Sequence, residues 1–148
     1  MRMFAILEEE QLVESLDSFR CATSKGYPEI VVPLKYYVRL ESDSVLAYTS
    51  YSDMGSFYFV GNTYVLPENR GQGIYSRLLK SRNAFLNDKP KVTVVNPIEG
   101  TDINILTQQV AKQGGIEVIE YNDVCTIMDY QTYLAITKNQ TLLVYIYA

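Results

Sequence analysis

Histidine and tryptophan are both absent from this 148-residue sequence, and there are only two cysteines, Cys21 and Cys125. Without histidine there is no Ser-His or Cys-His nucleophile pair and no imidazole metal ligand. Any catalysis must draw on carboxylates, tyrosine, cysteine, lysine, backbone groups or water. The cysteines lack the paired spacing of a zinc or redox site, so they read as buried thiols, and no metal is expected. No apolar run approaches the ~18–20 residues of a membrane span. The opening segment, Met1 to Leu7 followed by Glu8-Glu9-Glu10, is too short and too acidic for an export signal. A cytoplasmic, reducing setting without a disulfide is therefore expected. Basic residues are outnumbered 13 to 17, for a net charge of −4. That balance offers no basic stripe for nucleic acid.

The chain carries enough apolar residues, 47%, to build a core as one domain over 1–148. Tyrosine is abundant, at 13 residues, many of them at alternating strand positions where an amphipathic ring packs on a sheet. Periodicity predicts a strand at 3–7 and a helix over 9–24, stopped by Gly26-Tyr27-Pro28, then a loop over 28–34. Three strands follow, Tyr36 to Glu41, Val45 to Tyr51 and Phe57 to Leu66, separated by Ser42-Asp43-Ser44 and Asp53-Met54-Gly55. Gly61-Asn62 interrupts the third, as a β-bulge does. A helix over 70–86, a strand at 91–95 and a helix over 102–113 stopped by Gly114-Gly115 come next. Ile116 to Tyr121 and Val124 to Asp129 read as a hairpin. The tail, 131–148, adds a helix at 131–137 and a strand at 142–147. A strand–helix–strand unit after an antiparallel meander predicts a mixed α/β sheet.

The most informative stretch lies at the end of that meander. Val65-Leu66-Pro67-Glu68-Asn69 runs into Arg70-Gly71-Gln72-Gly73, and a helix begins with Ile74-Tyr75. A glycine turn opening a helix offers free backbone N–H groups and the positive end of the helix dipole, which suit a phosphate or diphosphate. The stretch lacks the Lys-Ser/Thr of a Walker P-loop. It also lacks the third glycine and the preceding parallel strand of a dinucleotide fold.

In that context the sequence resembles the GNAT family of N-acetyltransferases, whose acetyl-CoA motif is Arg/Gln-x-x-Gly-x-Gly/Ala. The resemblance implies an α/β, three-layer α-β-α fold. Its central sheet would be mixed, mostly antiparallel, and splayed between the strands at 57–66 and 91–95. It implies that the amides from Gly71 through Gln72, Gly73, Ile74 and Tyr75 hold the CoA pyrophosphate, with Arg70 lending charge. It also implies that Tyr64 and Val65 pair with the pantetheine arm. A second stretch, Asn104 to Gly115, resembles the family's Asn-x-x-Ala-x-x-x-Tyr-x-x-x-Gly pattern and makes Asn104 a cofactor contact.

Two positions depart from the pattern. Tyr75 replaces the motif's last small residue, and Ala111 replaces the general-acid tyrosine. Tyr121, Cys125 and Tyr64 are the candidates for the missing acid, and Asp53, Glu99 and Asp102 for the base. The implied function is acetyl-CoA-dependent transfer of an acyl group to a small amine or a lysine by direct attack on the thioester. The alternative is a GNAT-fold acyl-CoA-binding or interaction module without turnover. A β-prone terminal strand, Leu142 to Tyr147, adds the expectation of a homodimer through edge pairing.

Overall fold

The computed structural model describes residues 3–15, 34–95, 103–137 and 143–147. Its centre is a seven-stranded sheet in the order β1-β2-β3-β4-β5-β7-β6. The strands are β1 (Phe4–Leu7), β2 (Lys35–Glu41), β3 (Ser44–Asp53), β4 (Tyr58–Val65), β5 (Lys91–Val95), β6 (Ile116–Glu117) and β7 (Leu143–Tyr147). The first four form an antiparallel meander, β4 and β5 run parallel, and β7 is antiparallel to both β5 and β6. Among the described residues four helices flank the sheet: α1 (Glu9–Ser15), α2 (Ile74–Phe85), α3 (Ile103–Lys112) and α4 (Tyr130–Thr137).

Both faces are covered because the strands are apolar on both sides. In β2, Tyr36 and Val38 join Leu12 of α1 on one face, while Tyr37 between them joins the opposite cluster. In β4, Phe59 packs toward Ile136 of α4, and Val60 packs toward Ile74 and Leu78 of α2. The two-residue side-chain period thus separates a layer of α2 and α3 from a layer of α1 and α4. This is the three-layer α-β-α arrangement expected from the sequence.

The sheet opens at one seam. The parallel ladder between β4 and β5 pairs Tyr58 with Lys91, Phe59 with Val92 and Val60 with Thr93, and among the described residues goes no further. On its other side β4 stays bonded to β3 as far as Val65, with a one-residue slip between Tyr48↔Tyr64 and Ser50↔Gly61. That slip is the bulge expected at Gly61-Asn62, and it turns β4 away from β5. A bulge frees backbone groups that must find partners. The Gly61 carbonyl accepts from Thr49 Oγ1 at 3.1 Å and Ser50 Oγ at 2.9 Å. Thr49 Oγ1 is also 2.8 Å from Thr63 Oγ1 and accepts from Arg82 Nη1 of α2 at 3.0 Å. The splay is therefore fastened by hydroxyls and one buried guanidinium.

Several expected elements change. The helix expected over 70–86 begins at Ile74; a 3₁₀ turn at Pro67–Asn69 and a glycine loop precede it. Of the helix expected over 9–24, residues 9–15 are helical, and the remainder lies outside the described residues, as do Cys21 and most of the loop at 28–34. The hairpin expected over 116–129 does not form. β6 is two residues long and pairs with β7, and Tyr121–Asp123 is a 3₁₀ turn. Asp123 Oδ2 accepts the N–H groups of Ile119 and Glu120 at 2.8 and 3.1 Å, which bends the chain where a second strand would have continued. Val124 and Met128 then reach the core at helical spacing. The tail strand β7 is drawn inside the sheet, between β5 and β6. It has sheet neighbours on both sides, which removes the basis for edge pairing with a second chain.

Candidate cofactor site

The open end of the β4–β5 seam meets the start of α2, and the loop between them explains its own sequence. Gly71 and Gly73 have φ of +80° and +76°, a left-handed backbone that side chains disfavour. Gly73 is the residue at which the chain turns into the helix, and it caps α2 without a side-chain bond. The first intrahelical donor is Arg77 N–H, to the Gly73 carbonyl at 3.2 Å. By helix geometry the N–H groups of Ile74, Tyr75 and Ser76 have no acceptor within α2. Two guanidinium groups stand beside them. Arg70 Nε donates to the Val65 carbonyl at 2.9 Å, with its charge 5.2 Å above the Tyr64 ring. Arg77 Nη2 donates to the Gln72 carbonyl at 2.9 Å, across the loop.

A cavity of about 320 Å³ lies here, bounded by β4 at Thr63, Tyr64 and Val65, by Arg70, Gly71 and Gly73 of the loop, by Ile74, Tyr75 and Ser76 of the first turn of α2, and by Gln109 of α3. Of the residues expected to hold the cofactor, the structure gathers Tyr64, Val65, Arg70, Gly71, Gly73, Ile74 and Tyr75 around this one space. Gln72 is an exposed residue of the same turn. Asn104 is different: it stands exposed in the first turn of α3, accepts from Thr107 Oγ1 at its carbonyl, and lines neither this cavity nor the next.

A second, smaller cavity of about 150 Å³ adjoins the first in the fork of the seam, and the two share Thr63 and Tyr75. Tyr75 therefore points inward, and burial pushes its phenol up to about 12. The fork also holds Tyr147, raised by burial against the opposing pull of Arg82, and Arg82 itself, which is 1% exposed. From α3, Leu106 and Val110 face this space, whereas Ala111 is exposed. The position aligned by spacing with the family's tyrosine thus faces solvent, and the two α3 residues that do face the fork are aliphatic.

Of the proposed acid–base groups, Tyr64 lines the first cavity, whereas Tyr121, Cys125 and Asp53 lie outside both cavities. Tyr121 donates to the Met128 carbonyl at 2.9 Å and packs with Tyr130 and Tyr133 in the layer opposite α2 and α3. Cys125 is exposed rather than buried, its Sγ directed at the Asn122 carbonyl at 3.4 Å in the turns after the 3₁₀ segment. Asp53 sits at the far end of β3, bound to Lys89 Nζ at 2.6 Å and to the Gly55 N–H at 2.9 Å. The Lys89 bond holds its carboxyl below the usual carboxylate range. Glu99 and Asp102 lie outside the described residues. Sequence reasoning missed Gln109, Arg82 and Thr49. Their hydrophilic side chains read as surface groups until the fold turns them inward.

A mixed sheet split at a parallel seam, with a glycine-opened helix at the split, is the fold of the GNAT acetyltransferases. Solved structures bear this out along the whole chain. Escherichia coli ElaA superposes with a TM-score of 0.60 at 15% identity, covering all of both chains. A putative GNAT-family acetyltransferase from Bacteroides thetaiotaomicron gives 0.62 at 12% identity over all of this chain and 87% of that one. Arabidopsis thaliana Naa50, in complex with the bisubstrate analogue CoA-Ac-MVNAL, gives 0.60 at 12% identity over 99% of each chain. No family model and no curated protein sequence matches the chain.

Proposed function

We propose that this chain is an N-acyltransferase that takes acetyl-CoA as donor and a primary amine, small or on a lysine, as acceptor. One observation carries the reading: a donor-lined cavity at the start of α2 is bordered by the end of β4, an edge left unpaired among the described residues. An anion-binding helix start beside an open strand edge fits a ligand with a diphosphate at one end and an extended amide chain at the other. In this reading the amides of Ile74, Tyr75 and Ser76 hold the diphosphate, helped by Gly71, Gln72 and Gly73, and Arg70 and Arg77 supply charge. Tyr64 and Val65 flank the pantetheine arm. The likeness to Naa50, whose complex carries a CoA–peptide analogue, supports the same pairing of donor and amine.

Acyl-CoA supplies an activated thioester, which an amine attacks directly. The protein's part is to position the two and to stabilise developing charge with fixed backbone donors. None of that requires histidine. A second reading, binding without turnover, draws on Val110 and Ala111, which leave α3 without an acid. Calorimetric titration with acetyl-CoA, followed by a thiol-release assay over an amine panel, separates the two. The enzyme reading expects saturable 1:1 binding and thiol release with at least one amine. Tight binding with no release over the panel would leave the binding module, and absence of binding would contradict both.

A further inference from the structure

A third cavity, of about 310 Å³, lies at the other end of α2. The paired ladder from Tyr58–Lys91 to Val60–Thr93 closes the seam between it and the fork. Its place follows from the strand period. Lys35 is opposite Tyr51, Tyr58 is opposite Asp53, and Tyr51 and Asp53 are two residues apart on β3, so all four share one face of the sheet. That face is the one α2 packs on, and Phe85 and Leu86 at the end of α2 complete the lining.

Three aromatic rings wall the space. Tyr51 meets Tyr58 edge-on at 6.1 Å and Phe85 edge-on at 6.4 Å. Phe85 also stacks on Tyr37 at 5.3 Å, yet it stays 49% exposed. Aromatic faces attract cations. The surroundings carry the same preference: Asp53 lines the space, Asp88 accepts from the Tyr58 hydroxyl at 3.0 Å, and the end of α2 is the negative end of its dipole. Burial, and after it the neighbouring Tyr58, Glu8 and Asp53, push the Tyr51 phenol up. The chain's own ammonium groups show what this end of the fold holds. Lys89 Nζ lies 4.8 Å above the Tyr58 ring and 2.6 Å from Asp53 Oδ1, and Lys91 Nζ donates to the Leu86 carbonyl at 3.0 Å. Among the described residues no side-chain cation stands over Tyr51 or Phe85. The one cation in the lining, Lys35, is an exposed residue at the start of β2.

We infer that this cavity is a second binding site, for an organic cation with an apolar body, an alkyl- or arylammonium. The charge is held by Asp53 with the rings of Tyr51 and Tyr58, and the body packs against Phe85 and Leu86. Lys35 opposes the charge and limits the affinity. The inference stands apart from the acyl-CoA reading and does not depend on it.

The test follows the backbone amide resonances of the full chain as benzyltrimethylammonium is added, with phenylacetate as the anionic counterpart. The cation is expected to shift Tyr51, Tyr58 and Phe85 on one saturation curve, and phenylacetate to leave them in place. Asp53→Asn is expected to weaken the cation about threefold and Lys35→Met to tighten it by about the same factor, the size of one exposed charge. Both positions are exposed, and amide spectra that otherwise match the parent show that the variants are folded. No saturable shift at the three residues, phenylacetate bound as tightly as the cation, or variants that change the affinity in the opposite sense or not at all would overturn the assignment.

Discussion

At the scale of single residues, the site is defined by side chains whose polarity conflicts with where they are buried. Tyr75 is the clearest case. A position that the resemblance reserves for a small residue holds a phenol wedged between two cavities, with its ionisation pushed up to about 12. The sign of the consequence follows from linkage. Between pH 10 and 12 the unfolded chain has released this proton and the folded chain has not, so stability is complete below about 10 and falls as pH rises. Tyr75→Phe is expected to make that alkaline decline shallower. In ultraviolet titrations, the phenolate lost by substitution should be one that appears near pH 12. A missing phenolate that titrates near 10, the usual tyrosine value, would contradict the buried placement. The glycines of the loop were legible in the sequence because a positive φ restricts which residue can stand there. Gln109, Arg82 and Thr49 were not, because nothing local distinguishes a hydrophilic residue that faces solvent from one the fold encloses.

At the scale of elements, the bulge in β4 does most to make a site. It was legible from Gly61-Asn62, since a glycine inside a strand signals an irregular ladder. What fastens it was not, because Thr49, Ser50 and Arg82 come from two other elements. Thr49→Val is the isosteric test of that fastening. It removes a donor to the Gly61 carbonyl and an acceptor of the buried Arg82 guanidinium. The expected cost is about 1–3 kcal/mol in denaturant unfolding. A stability change near zero would mean that the network does not hold the splay. The failed hairpin over 116–129 has a comparable cause. Ile116, Val118 and Val124 suggest strands by composition, while the fold is decided by Asp123 closing its turn and by Tyr121 packing at an angle against the rings of Tyr130 and Tyr133. Such partners lie several residues apart, beyond the reach of a period-two pattern.

At the scale of the whole molecule, seven strands and two helical layers converge on one opening. The parallel step from β4 through α2 to β5 places the helix start at the strand ends, and the bulge keeps those ends apart. Strand β7 closes the far side of β5, which leaves the fork as the break in the middle of the sheet. Element order made this arrangement legible up to β5. The insertion of β7 between β5 and β6 was not legible, because strand order within a sheet depends on long-range pairing. The central claim is that the donors at the start of α2 hold the diphosphate of an acyl-CoA. It is tested most directly by the backbone amide resonances of the chain as acetyl-CoA is added. The account predicts that Ile74, Tyr75 and Ser76 shift with a shared saturation curve, and that adenosine 3′-phosphate 5′-diphosphate moves the same three. Saturating acetyl-CoA that leaves those amides in place, or that shifts only residues away from the seam, would contradict it.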